Sequence, residues 1–90
     1  MENKKKILVV DDNPNFCQLL QCAFEDEYAV VIEQDGAAGA KAAAALKPDI
    51  ILMDVMMPKV SGIEMLRLLL SDEDARKIPV LVLTGSHFNE

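Results

Sequence analysis

Residues 48–58 read Pro48-Asp49-Ile50-Ile51-Leu52-Met53-Asp54-Val55-Met56-Met57-Pro58. Ile50 to Met53 is an apolar run with no polar alternation, the pattern of a strand covered on both faces. It ends on a carboxylate, and Pro58 closes the loop that follows. The same signature recurs at Ile7-Leu8-Val9-Val10, stopped by Asp11-Asp12-Asn13-Pro14, and at Val80-Leu81-Val82-Leu83, opened by Pro79 and ended by Thr84-Gly85-Ser86. Another short β-branched run spans Ala29 to Glu33, and Gln34-Asp35-Gly36 is the turn that ends it.

Helical patterns separate these runs. Asn13 can cap a helix with Pro14 in its first turn, and Phe16, Leu19, Leu20, Ala23 and Phe24 recur at helical spacing to about Glu27. Ala37 to Leu46 is nearly all alanine, the best intrinsic helix former, and is closed by Lys47-Pro48. Ser61 and Glu64 form a capping box ahead of Ile63, Met65, Leu66, Leu68, Leu69 and Leu70. Ser71 to Lys77 reads as a charged connection. Strands alternating with helices predict an α/β fold with a parallel, doubly wound sheet and right-handed crossovers.

With 90 residues and 51% hydrophobic content, one small domain fits and a second does not. No run of about 18 apolar residues occurs, and the apolar stretch after Lys6 is too short for a secretory signal, so a cytoplasmic protein is expected. Cys17 and Cys22 lie on one expected helix about 140° apart around its axis, too far round to bridge, and read as reduced thiols. A net charge of −6 argues against nucleic acid as a direct partner. Lys4-Lys5-Lys6 reads as a solvated leader and His87 as a solvated tail residue.

In an open parallel sheet, ligands bind beyond the carboxyl ends of the strands. Here that rim receives Asp11 and Asp12 after the first strand, Asp54 after the third and Thr84 after the fourth. Carboxylates brought this close repel, and they either raise one another's pKa or recruit a cation. Mg²⁺ suits such a set, since it accepts carboxylates and a carbonyl while keeping waters that phosphate oxygens can replace. With only His87 near the rim, zinc is a poor fit. Asp12 or Asn13 can equally serve only as a helix cap. Asp54 has no such duty, because the next cap is the distant Ser61.

The run from Ile7 to Pro14, the block from Pro48 to Pro58, the Ser61-Gly62 pair and the segment from Ile78 to Thr84 together resemble, in order and spacing, the receiver domain of two-component response regulators. The resemblance implies a flavodoxin-like sheet of strand order 2-1-3-4. It further implies that Asp54 accepts a phosphoryl group from a histidine kinase or phosphotransfer protein. Asp12 and Asp54 would then ligate Mg²⁺ directly, Asp11 through water and Met56 through its main-chain carbonyl, with Thr84 as the switch hydroxyl. Such a chain is a signalling module rather than an enzyme.

The family's pattern runs on to a fifth strand, further helices and a lysine for which this chain has no counterpart, since Lys77 precedes strand four and Lys59 stands beside Asp54. Residues 1–90 are therefore expected to be an incomplete receiver domain. Its fourth strand would be an apolar edge open to a second copy. Two other readings compete: an interaction module that keeps the fold without phosphorylation, and a small Mg²⁺-dependent phosphohydrolase. The latter class places a D-x-D motif after strand one, where this chain has adjacent Asp11 and Asp12 followed by Asn13. A Rossmann domain fails for want of a glycine-rich turn after the first strand.

Overall fold

A computed structural model of the chain describes residues 4–54 and 62–83. Its elements run β1 (Lys5–Val10), α1 (Pro14–Phe24), β2 (Tyr28–Glu33), α2 (Gly36–Leu46), β3 (Ile50–Asp54), α3 (Gly62–Leu70), a 3₁₀ turn (Ala75–Lys77) and β4 (Val80–Leu83). The strands form one sheet in the order β2-β1-β3-β4, every neighbouring pair parallel. The expected flavodoxin-like order is the observed one.

The uninterrupted apolar runs are explained by what lies on each face. Successive strand residues point to opposite sides, so Ile7, Val9 and Leu52 join Cys17 of α1 in one cluster, with Leu20 and Phe24 packed against it. Leu8, Val10, Ile51 and Met53 face the other way, against Ala43 of α2 and Met65 and Leu69 of α3. Every one of these strand side chains has to be apolar. On that second face α2 approaches β1 closely, because a Cβ on Gly39 would lie 2.8 Å from a methyl of Val10 and 3.2 Å from Cε of Met65.

Several boundaries differ from the expected ones. β1 begins at Lys5, so part of the lysine leader belongs to the sheet: Lys5 and Lys6 pair with Tyr28 and Ala29. The Lys6 N–H donates to Asp49 Oδ2 at 2.7 Å and its Nζ to the Leu46 carbonyl at 3.2 Å, which ties the approach to β3 onto β1. α1 stops at Phe24, short of Glu27, because β2 must already be extended at Tyr28 to pair with Lys5. The Tyr28 ring meets Phe24 edge-on at 5.8 Å. Asp35 is a helix cap as well as a turn residue, its Oδ1 accepting from the Ala38 N–H at 2.8 Å. The charged connection contains the 3₁₀ turn, whose first residue Ala75 is buried. The Asp72 carboxylate accepts from the N–H groups of Ala75 and Asp74 at 2.9 Å each, and those bonds hold its pKa below the usual value. Ser61 of the expected capping box lies outside the described residues. No helix among the described residues is long and apolar enough to cross a membrane.

Candidate functional site

Register places the acidic residues. Val10 pairs with Met53, so the next residues, Asp11 on one chain segment and Asp54 on the other, leave neighbouring strands at the same level. One carboxylate oxygen from each of Asp11, Asp12 and Asp54 lies within 4.8 Å of the other two. Asp11 and Asp54 are buried, 4% and 6% exposed, while Asp12 is open to solvent. Leu83, the partner of Asp54 across β3 and β4, is the last described residue before Thr84.

The turn that carries Asp11 and Asp12 is held at several points. The Asp11 N–H donates to the Glu33 carbonyl at 3.1 Å, extending the ladder between β1 and β2 by one residue. Asp11 Oδ1 accepts from the Asn13 N–H at 2.9 Å. Asn13 Oδ1 caps α1 by accepting from the N–H groups of Asn15 at 2.9 Å and Phe16 at 3.2 Å, and Pro14 opens the helix, as expected from the sequence. Below the turn, Cys17 donates from Sγ to the Asp11 carbonyl at 3.2 Å.

The electrostatics follow from burial among like charges. Removal from water pushes the Asp11 carboxyl above its ordinary value, the Asn13 N–H works against that, and the charges of Asp54 and Asp12 add to the rise. The Cys17 thiol is pushed up by burial first and then by Asp11 and Asp12, so it stays a neutral donor. The remaining thiol, Cys22, is exposed, and neither cysteine is bridged.

Of the residues singled out from the sequence, Asp11, Asp12 and Asp54 come together. Met56 and Thr84 lie outside the described residues, as do Lys59, Gly85 and His87. Sequence reasoning missed Cys17 as part of this turn; the signal available was its place one helical turn after the cap Asn13, on the inward side of α1. The donor set fits a small hard cation. It offers oxygen ligands from converging carboxylates, two of them withdrawn from water, and the Cys17 sulfur is turned to a main-chain carbonyl.

Comparison with known proteins gives the context. The family model described as the response regulator receiver domain matches residues 7–90. Hybrid signal transduction histidine kinase D of Dictyostelium discoideum is 42% identical over 85 residues, covering 94% of this chain and 6% of that protein. The alkaline phosphatase synthesis transcriptional regulatory protein PhoP of Bacillus subtilis is 43% identical over 82 residues, covering 90% of this chain and 33% of that protein. The chain thus spans a small part of these relatives. Among solved structures, the receiver domain of a sensor histidine kinase from Pseudomonas aeruginosa, with a magnesium ion coordinated in its active site cleft, superposes with a TM-score of 0.88. That neighbour is 27% identical, and the match covers 97% of this chain and 72% of that one. With a matching family model over nearly its whole length, the parallel 2-1-3-4 sheet and the acidic cluster at its rim, this chain belongs to the response regulator receiver domains.

Proposed function

We propose that this chain is the phosphoacceptor of a two-component phosphorelay, taking a phosphoryl group on Asp54 from a histidine kinase or phosphotransfer protein in the cytoplasm. The observation that carries the reading is the meeting of Asp11, Asp12 and Asp54 within 4.8 Å at the carboxyl ends of β1 and β3.

Asp12 and Asp54 would hold Mg²⁺ directly and Asp11 through water, with the Met56 carbonyl completing the protein's share. Bound Mg²⁺ supplies positive charge that offsets the clustered carboxylates and the oxygens of the incoming phosphoryl group. Asp54 closes β3, so its backbone is fixed by pairing to Leu83 on one side while Val10 and Met53 pair on the other. That rigidity presents one carboxylate oxygen to phosphorus at low entropic cost. The oxygen–phosphorus bond forms as the donor's nitrogen–phosphorus bond breaks, and the bonding pair leaves with the imidazole nitrogen. The product is an acyl phosphate whose added negative charge stands beside Asp11 and Asp12, and Thr84 gains a hydrogen bond to it.

The test is the intact mass of the chain after incubation with Mg²⁺ and acetyl phosphate, in which acetate leaves in place of imidazole. One added phosphoryl group, absent in Asp54→Asn and absent in EDTA, is expected. A folded sample with no added mass would favour an interaction module without phosphorylation.

A second copy pairing along β4 is part of the same proposal. β4 is an edge strand of the described sheet, with Leu81 54% and Val82 41% exposed. Sedimentation equilibrium is expected to give a dimer that Leu81→Lys dissociates; a monomer at all concentrations would refute it.

A further inference from the structure

The main chain between β1 and α1 turns within a few residues, and one buried residue is fastened to both ends of that turn, by its side chain to one and by its main chain to the other. Cys17 is 2% exposed, packed with Ile7, Val9 and Leu52 against the sheet. Its N–H donates to the Asn13 carbonyl at 3.0 Å and its thiol to the Asp11 carbonyl at 3.2 Å. The Asn13 N–H in turn reaches back to Asp11 Oδ1 at 2.9 Å. The turn is closed on its outer side by Asn13 and on its inner side by Cys17.

We propose that Cys17 is a positioning residue for the acidic cluster, its thiol fixing through the Asp11 carbonyl the peptide plane that leads into Asp12. The peptide unit is planar, so anchoring the carbonyl oxygen of Asp11 also sets the nitrogen and Cα of Asp12. Asp12 is the solvent-exposed member of the cluster and sits on a turn, where a backbone rotation would carry its carboxylate away from Asp54. The anchor reaches the turn from beneath, out of competition with water. Groups behind a metal's ligands set ligand orientation and change metal affinity on removal, typically by 10- to 100-fold. A thiol is a weak donor, which places the effect at about five- to tenfold. The inference rests on the cluster holding Mg²⁺.

Serine and alanine both remove the bulk of the sulfur, but only serine keeps a donor, while valine keeps the bulk without one. The expected result from calorimetric Mg²⁺ titration is that Cys17→Ser stays within about twofold of the parent, whereas Cys17→Ala and Cys17→Val bind about five- to tenfold more weakly. Unfolding in EDTA, measured in parallel, is expected to group Ser with Ala, so affinity and stability sort the variants differently. Without Mg²⁺, the Asp12 amide resonance should shift in Cys17→Val and stay near the parent position in Cys17→Ser. Parental affinity in Cys17→Val, or a loss in Cys17→Ser equal to that in Cys17→Ala, would overturn the role. Asp12→Asn separates the two ideas: if it abolishes Mg²⁺ binding while Cys17→Val does not, the cluster reading stands and the Cys17 role falls. A parent chain that binds no Mg²⁺ removes both.

Discussion

Replacing Asp11 by Asn should stabilise the metal-free protein, even though Asp11 is buried, hydrogen-bonded and part of the candidate site. Asn keeps the shape and an oxygen to accept the Asn13 N–H, which lies 2.9 Å from Asp11 Oδ1. What it removes is a charge that burial and the neighbouring carboxylates disfavour. For the buried pair Asp11 and Asp54, with oxygens within 4.8 Å, Coulomb repulsion amounts to about 1 kcal/mol at the dielectric of water and about 3.5 kcal/mol at an effective value near 20. Weakening the bond from the Asn13 N–H, which a carboxylate accepts better than an amide, returns about 1 kcal/mol of that. The net gain is up to about 2.5 kcal/mol, each kcal/mol corresponding to roughly 4–8 °C in Tm for a domain of this size.

The pH dependence has a definite sign. The folded-state pKa of Asp11 is raised above 3.8, so in the window just above that value the folded state holds a proton that the unfolded chain has released, and stability falls as pH rises. The advantage of Asp11→Asn is therefore full at neutral pH, shrinks as pH drops through the raised pKa and vanishes below about 3.8. Urea unfolding in EDTA from pH 4 to 8 measures it, and repetition in saturating Mg²⁺ should reverse the order, because the parent gains ion binding and the variant loses it. An Asp11→Asn chain less stable than the parent in EDTA at pH 7 would refute the argument from burial and repulsion.

Other consequences are more local. Gly39→Ala should cost up to about 2 kcal/mol by urea unfolding, since overpacking against the 2.8 Å contact with Val10 outweighs the helix propensity gained; a gain of about 1 kcal/mol would mean that Val10 moves aside freely. Lys47, the C-cap of α2, is a non-glycine residue in the left-handed region at φ 51°, and its ion pair with Asp74 at 3.6 Å is solvent-exposed. Lys47→Gly should therefore raise stability by up to about 1 kcal/mol, the relief of strain exceeding the loss of a weak surface pair, and thermal unfolding would reveal the opposite sign if the pair mattered more.

Much of this is legible in the sequence because β1 from Ile7 onward, β3 up to Met53 and β4 are short apolar runs, and the first two are covered on both faces, which leaves no room for an alternating pattern to confuse them. The carboxylates were legible for a related reason. A charge that ends such a strand must sit at the rim, and parallel neighbours bring their ends together. The features that were not legible depend on contacts between distant segments. Nothing local distinguishes Asp35 as a cap from Asp35 as a turn residue until α2 is seen to start at Gly36. The stop of α1 at Phe24 is imposed by pairing between Tyr28 and Lys5, and Lys5 and Lys6 look like a leader until that pairing is known. The thiol of Cys17 reads as simple core filling because its hydrogen bond goes to the main chain, which carries no signature in the residue sequence.

The central claim is that Asp54, among the three clustered carboxylates, is the one that takes the phosphoryl group. Reduction of the acetyl phosphate-treated chain with borohydride converts an aspartyl phosphate to homoserine, and tandem mass spectrometry then locates the converted residue. Homoserine at position 54 alone, dependent on Mg²⁺, is the expected result. Conversion at position 11 or 12, or a folded, Mg²⁺-loaded chain with no converted aspartate, would contradict the account.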